Sequence, residues 1–289
     1  MTYSKIIQPE TLYDKLQDPE WAIIDSRFSL EDKQWGRSEY QAGHIPGAVY
    51  ADLEQDLSDP VISGVTGRHP LPEISRLEEK FSQWGIDEQV QVVVYDDCGG
   101  AFAARLWWLL RWTGHEAVAV LDGGWEHWQT LDYPVAVGVE IRKHRIFQVH
   151  LRPEMVVSSQ ELLQELDDWQ ILLIDARDTI RFLGKEEPID PVAGHIPGAV
   201  SSPYKSNLNP NGRFKSPEAL RKQYLQLPGH EKINNAIVYC GSGVTAAHNI
   251  LAMEVAGFPM ARLYAGSWSE WITDPSRPIG NGERENPDV

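Results

Sequence analysis

The chain has 289 residues, enough for one large domain or two of about 140, and at 42% hydrophobic and 24% charged its composition is that of an ordinary globular protein. A formal net charge of −16 argues against nucleic acid and anionic membranes as partners, because nothing in that balance neutralises phosphates. No apolar run approaches the roughly 18 residues that cross a bilayer, and Met1-Thr2-Tyr3-Ser4-Lys5 lacks a basic-then-apolar signal pattern, so a cytoplasmic protein is expected.

In chain order, an apolar run at 22–25 predicts a buried strand ending in Asp25-Ser26-Arg27. Ala42-Gly43-His44-Ile45-Pro46-Gly47-Ala48-Val49 reads as a turn, with glycine for positive φ and proline for fixed φ. A second strand at 91–95 leads through Asp96-Asp97-Cys98-Gly99-Gly100 into a helix over 101–112, which Gly114 caps. Asp122-Gly123-Gly124-Trp125-Glu126-His127-Trp128 follows. The stretch 134–152, bracketed by Pro134 and Pro153, reads as a linker.

The same series then repeats. Beyond a helix at 159–167, a strand at 171–174 runs into Asp175-Ala176-Arg177. Ala193-Gly194-His195-Ile196-Pro197-Gly198-Ala199-Val200 restates the turn. A helix at 217–225, a strand at 236–239 and a helix at 245–256 capped by Gly257 come next, then Ala265-Gly266-Ser267-Trp268-Ser269-Glu270-Trp271. The tail from Asp274, with Pro275, Pro278 and Pro287, is expected on the surface. Four matched blocks in one order mean a duplication: a first domain at 1–133, a linker at 134–152 and a second domain at 153–289. Strands alternating with helices imply α/β domains with mainly parallel central sheets. The many tryptophans are expected mostly in the core.

Duplication supplies an internal control. Residues found in both halves most simply serve the fold, so the two D-x-R triplets are expected to form buried braces. Residues that differ point to chemistry. Asp96 stands where the second half has Cys240, so the first domain is expected to be catalytically silent. Cys240-Gly241-Ser242-Gly243-Val244-Thr245 joins a strand to a helix. Two glycines allow a tight fold whose N–H groups converge as an anion-holding nest. The helix N-terminus adds partial positive charge, and together they favour a thiolate. Cys98 and Cys240 are the only cysteines, too few for a disulfide scaffold, and C-x-x-C metal spacings are absent, so no metal is expected. Arg181 also differs: Glu31 holds its place in the first half. It is suited either to clamp a donor carboxylate bidentately or to a salt bridge with Glu186 or Glu187.

Nearly the whole chain, from about residue 6 to 272, resembles the two-domain rhodanese family of sulfurtransferases. The resemblance implies two tandem rhodanese-like, doubly wound domains, with the nucleophile in the second. It also implies a double displacement in which Cys240 takes a sulfur from a small anionic donor as a persulfide. A thiol, cyanide or a protein thiol then removes that sulfur, without metal or organic cofactor. The uncharged loop looks like the mercaptopyruvate branch. Arg181 then matches the donor-binding arginine, with Gly241, Gly243, Val244 and Thr245 lining the loop and Ser242 as a donor contact and proton carrier. His44, with an acid such as Asp32, matches a relay to that serine. The sequence departs from the branch pattern at Glu186-Glu187-Pro188-Ile189-Asp190, which offers no second arginine, so thiosulfate stays open as donor. A phosphatase would need an arginine at position 246, which is Ala246. A non-catalytic binding module of this fold would not need Cys240.

Overall fold

The computed structural model describes residues 2–166 and 170–282. Asp167, at the end of one expected helix, and Pro287 of the expected tail lie outside them, as do the last residues of the second domain. The chain forms two compact units. The first holds Met1–Asp59, Leu71–Pro153 and Asn209–Phe214; the second holds Pro60–Pro70, Glu154–Leu208 and Lys215–Val289. The stretch 134–152 is therefore part of the first unit. It is fastened there by Gly138 N–H on the Gln41 carbonyl (2.8 Å), Phe147 N–H on Ser82 Oγ (3.0 Å) and Arg145 on Glu20 and Asp87. Among the described residues no helix is long and apolar enough to cross a membrane.

The first unit contains β1 (Ile6–Ile7), α1 (Pro9–Tyr13), β2 (Trp21–Asp25), α2 (Trp35–Ala42), β3 (Ala48–Tyr50), α3 (Ile74–Gln83), β4 (Gln91–Tyr95), α4 (Ala103–Trp112), β5 (Val118–Leu121) and α5 (Gly124–Thr130). Its five strands pair in parallel in the order β1-β5-β4-β2-β3. β2 and β4 are buried at every position, as strands covered on both faces must be. α4 is buried all round, which its sequence AARLWWLLRW permits.

The second unit contains α6 (Ser159–Glu165), β6 (Leu172–Asp175), α7 (Thr179–Phe182), β7 (Val200–Ser201), α8 (Pro217–Tyr224), β8 (Ala236–Tyr239), α9 (Thr245–Val255), β9 (Arg262–Leu263) and α10 (Ser267–Trp271). Its sheet, again parallel, runs β7-β6-β8-β9. A capping box between Ser158 and Glu161 starts α6. Residues 275–282 run over this unit, with the Pro278 carbonyl accepting from Trp271 Nε1 (2.9 Å) and Gly280 bridging His195.

The repeated motifs do the same work in each unit. Arg27 Nη2 holds Asp25 Oδ2 at 2.6 Å and the Gly43 carbonyl at 2.6 Å; Arg177 Nη2 holds Asp175 Oδ2 at 2.7 Å and the Gly194 carbonyl at 2.6 Å. Each guanidinium lies over a tryptophan, Trp125 or Trp268, at 4.6 and 4.8 Å. The D-x-R triplet thus ties the end of a central strand to the following turn. Deleting one partner would leave a buried charge uncompensated, at a cost of about 3–5 kcal/mol. The histidines of the turns are structural: the Nδ1 atoms of His44 and His195 bond the carbonyls of Tyr40 (2.7 Å) and Phe182 (2.8 Å), and each ring stacks on that same residue.

Candidate active site

β8 delivers Cys240 to the rim of the second sheet, and the loop Gly241–Val244 turns directly into α9. Gly243 has φ +76°, and a methyl group on it would lie 2.3 Å from the Ala265 carbonyl oxygen, so both its backbone and its surroundings require glycine. The turn aims Gly243 N–H at Cys240 Sγ, 3.2 Å away. The cysteine is 2% exposed. Its carbonyl accepts from Trp268 N–H (2.9 Å), and Gly241's carbonyl accepts from Ser269 N–H (3.0 Å). Val244 is buried at the helix start and Thr245 opens the helix.

The first unit shows what a loop of this kind can hold. Asp96, in the place of Cys240, turns its carboxylate into the loop and accepts four backbone N–H groups. They come from Cys98 (2.9 Å), Gly100 (2.8 Å), Phe102 (2.8 Å) and Ala103 (2.9 Å). Burial holds its carboxyl above the usual carboxylate range in spite of these donors. The loop of the first unit is therefore occupied by its own carboxyl group. In the second unit the thiol of Cys240 stands in that place.

Ser267 is a contributor that lies inside a block the sequence already singled out. It adopts φ +55°, a conformation that Gly124 also adopts at φ +55° in the corresponding block. The hydroxyl compensates for the strain. Ser267 Oγ accepts from Cys240 N–H (3.0 Å) and donates to the Tyr264 carbonyl (2.9 Å), fixing the backbone of the nucleophile. The difference between halves, glycine against serine, was a signal for it.

Arg181, on α7, is 13% exposed at its side chain. Its Nε and Nη2 grip Glu187 Oε1 at 3.0 and 2.7 Å, and Nη2 also meets Asp190 Oδ2 at 3.1 Å. The expected salt bridge is present. It is salt-bridged to Glu187, and it faces the nucleophile loop: a methyl on Gly241 would lie 3.7 Å from its Nη2. Burial raises Glu187, but Arg181 and the N–H groups of Ile189 and Asp190 outweigh that and bring it below the usual carboxylate range. Burial pushes Asp190 up, with Arg68 and Arg181 opposing.

The remaining polar groups come from the segment Pro60–Pro70. The imidazole at Ser242 is that of His69, with Nδ1 2.7 Å from Ser242 Oγ. The expected His44–Asp32 relay is thereby corrected. His44 is locked into its turn by the Tyr40 carbonyl, and Asp32 is an exposed residue whose carboxylate accepts Gln34 N–H (3.0 Å) at the start of α2. His69 and its neighbour Arg68 were missed because they sit in an irregular stretch without a counterpart in the second half.

The Rhodanese-like domain family matches residues 8–131 and 158–274. A Pseudomonas aeruginosa protein named "Probable 3-mercaptopyruvate sulfurtransferase" is 46% identical over 284 residues, covering 98% of this chain and 100% of that one. The thiosulfate sulfurtransferase of Rattus norvegicus is 33% identical over 264 residues, covering 88% and 86%. The crystal structure of SseA from Escherichia coli, described with the rhodanese fold and mechanism of 3-mercaptopyruvate sulfotransferases, superposes with a TM-score of 0.80. It is 33% identical, over 93% of this chain and 100% of SseA. The chain belongs to the rhodanese family, as two consecutive rhodanese-like domains, and is a sulfurtransferase.

Proposed function

We propose that this protein takes the sulfur of 3-mercaptopyruvate onto Cys240 and passes it to a thiol or to cyanide. The Cys240 thiolate attacks the donor's sulfur. The carbon–sulfur bond breaks, its electron pair moves onto carbon as the pyruvate enolate, and that enolate takes up a proton to become pyruvate. The sulfur stays on Cys240 as a persulfide. An acceptor thiolate then attacks the outer sulfur, leaves as a persulfide and regenerates the Cys240 thiolate; cyanide leaves as thiocyanate.

The observation that carries this reading is the 2.7 Å pair of His69 Nδ1 and Ser242 Oγ, two residues beyond the nucleophile. Mercaptopyruvate cleavage creates a carbanionic leaving group that needs a proton, and a hydroxyl paired with an imidazole can supply it. Thiosulfate cleavage releases sulfite, which needs none. Gly243 N–H on Cys240 Sγ supports the thiolate and the persulfide anion, and Arg181 offers the donor carboxylate a guanidinium.

The second reading, thiosulfate as donor, is tested on one preparation by comparing kcat/KM for the two donors with cyanide as acceptor. A preference for 3-mercaptopyruvate above about tenfold, worth about 1.4 kcal/mol in transition-state binding, is expected. A tenfold preference for thiosulfate would reverse the assignment.

A further inference from the structure

Two pieces of the candidate site meet on one residue of α10, Ser269. Its N–H donates to the Gly241 carbonyl (3.0 Å), next to Trp268 N–H on the Cys240 carbonyl (2.9 Å). First-turn N–H groups have no acceptor inside their own helix, so they are available to a neighbouring loop. The hydroxyl of the same residue serves a different segment. Ser269 Oγ accepts from Arg68 N–H at 3.0 Å, one residue before His69. Gly67 permits this approach, because a methyl on it would lie 2.9 Å from Ser269 Oγ and 2.5 Å from the Gly266 carbonyl oxygen. Ser269 is buried, so little water competes for its hydroxyl.

These contacts close a ring. Gly241 is bonded to Ser242, whose Oγ meets His69 Nδ1 at 2.7 Å; His69 is bonded to Arg68, whose N–H meets Ser269 Oγ; and Ser269 N–H returns to Gly241. In such a ring the distance between imidazole and hydroxyl depends on the far side as well as on its own two groups. A segment released at Arg68 carries the imidazole with it, and displacements of about 1 Å at a reacting group cost up to about 100-fold in rate.

The duplication separates the common part of this arrangement from the particular part. In the first unit Trp125 N–H donates to the Asp96 carbonyl (2.8 Å), as Trp268 does to Cys240, so the bond from helix to loop belongs to the fold. The next residue there is Glu126, which is exposed, where the second unit has Ser269. The hydroxyl is confined to the unit that carries the Cys240 thiol.

We propose that Ser269 is a positioning residue for proton delivery: its hydroxyl holds the Arg68–His69 segment where the imidazole pairs with Ser242. The inference rests on the proton-carrier role given to that pair above and deepens it. Removing the hydroxyl leaves the Ser269 N–H on Gly241, so the loop keeps its support and the loss falls on the placement of His69.

The test uses the full chain with cyanide as acceptor, and measures kcat and KM for both donors in Ser269→Ala, His69→Gln and the double variant. Ser269→Ala is expected to lower kcat for 3-mercaptopyruvate roughly tenfold, with KM moved by less than about threefold, and to slow thiosulfate turnover far less. Because Ser269 acts through His69, adding Ser269→Ala to His69→Gln is expected to cost less than about twofold more. A mercaptopyruvate kcat within about twofold of wild type in Ser269→Ala, equal losses on the two donors, or a full tenfold loss in the His69→Gln background overturns the proposal. If Ser269→Ala fails to fold, Ser269→Thr and Ser269→Val carry the same comparison, since they are alike in shape and differ in the hydroxyl; equal kcat in these two overturns it. A His69→Gln chain with undiminished mercaptopyruvate kcat sinks the proton-carrier reading, and Ser269 with it. A slow His69→Gln chain on which Ser269→Ala is fully additive sinks only the role of Ser269.

Discussion

His69 Nδ1 and Ser242 Oγ, 173 positions apart in sequence, meet at 2.7 Å beside the nucleophile. One is a loop residue fixed by the strand-to-helix turn, the other belongs to a segment held against α10. In the proposed mechanism the pair makes the hydroxyl a proton carrier rather than a passive contact. Replacing His69 with Gln should lower kcat for 3-mercaptopyruvate by about 100-fold, within the range of general acid–base contributions. The effect on thiosulfate turnover should be much smaller. Equal losses on both donors would mean that His69 only shapes the loop.

Ser267 and Gly124 share one backbone conformation, and only the serine offers an oxygen to the residue that starts the adjacent loop. Ser267→Gly removes the hydroxyl and relieves the positive-φ strain; Ser267→Ala removes the hydroxyl and keeps the strain. Both variants should lose activity, about tenfold, through an unfixed Cys240. The alanine variant should also be less stable than the glycine variant by about 1 kcal/mol, measured by urea unfolding. Activity that follows stability alone would show that the hydroxyl does not position the nucleophile.

Cys98 lies in the first unit's loop and is expected to take no part in sulfur transfer. Solvent reaches it, but the packing of its loop and the carboxylates of Asp96 and Asp97 push its pKa well up, so it stays a thiol at neutral pH. Cys98→Ser is expected to leave sulfur transfer unaltered. Peptide mapping should find Cys98 alkylated by iodoacetamide at about pH 8 more slowly than a model thiol of ordinary pKa. Fast labelling, or loss of turnover in Cys98→Ser, would give Cys98 a role in the reaction.

Two buried imidazoles set an acid limit on stability. Burial pulls His115 and His195 below the ordinary 6.5. Below that value the unfolded chain binds protons that the folded chain does not. Their stabilising contribution is therefore present above pH 6.5 and is lost as pH falls beneath it. Thermal unfolding between about pH 7.5 and 5.5 should show a falling Tm, and His115→Gln/His195→Gln should flatten that slope. An identical slope in the double variant would assign the acid lability to other groups.

The central strands and the nucleophile were legible in the sequence, for different reasons. β4 and β8 coincide with the predicted 91–95 and 236–239, because strands buried on both faces write themselves as unbroken apolar runs. Strands of two or three residues, such as β1, β3, β7 and β9, leave no such run. Cys240 stood out because the duplication supplied its own control in Asp96. That same control could not see Arg68 or His69, which have no partner to differ from; His44 was singled out by the family resemblance, although its repetition as His195 marks it as a turn residue. The stretch 134–152 read as a linker from its flanking prolines, yet its backbone bonds to α2, Ser82 and Thr113 make it part of the first unit. Bonds between segments distant in sequence leave no local pattern.

The most direct test is intact-mass spectrometry of the full chain after mixing with 3-mercaptopyruvate and no acceptor. One added sulfur atom per chain is expected, located on Cys240 by peptide mapping, with one pyruvate formed. Cyanide should then discharge that sulfur as thiocyanate, and Cys240→Ser should show no sulfur and no turnover. Turnover retained in Cys240→Ser, or sulfur found on Cys98 instead, would contradict it.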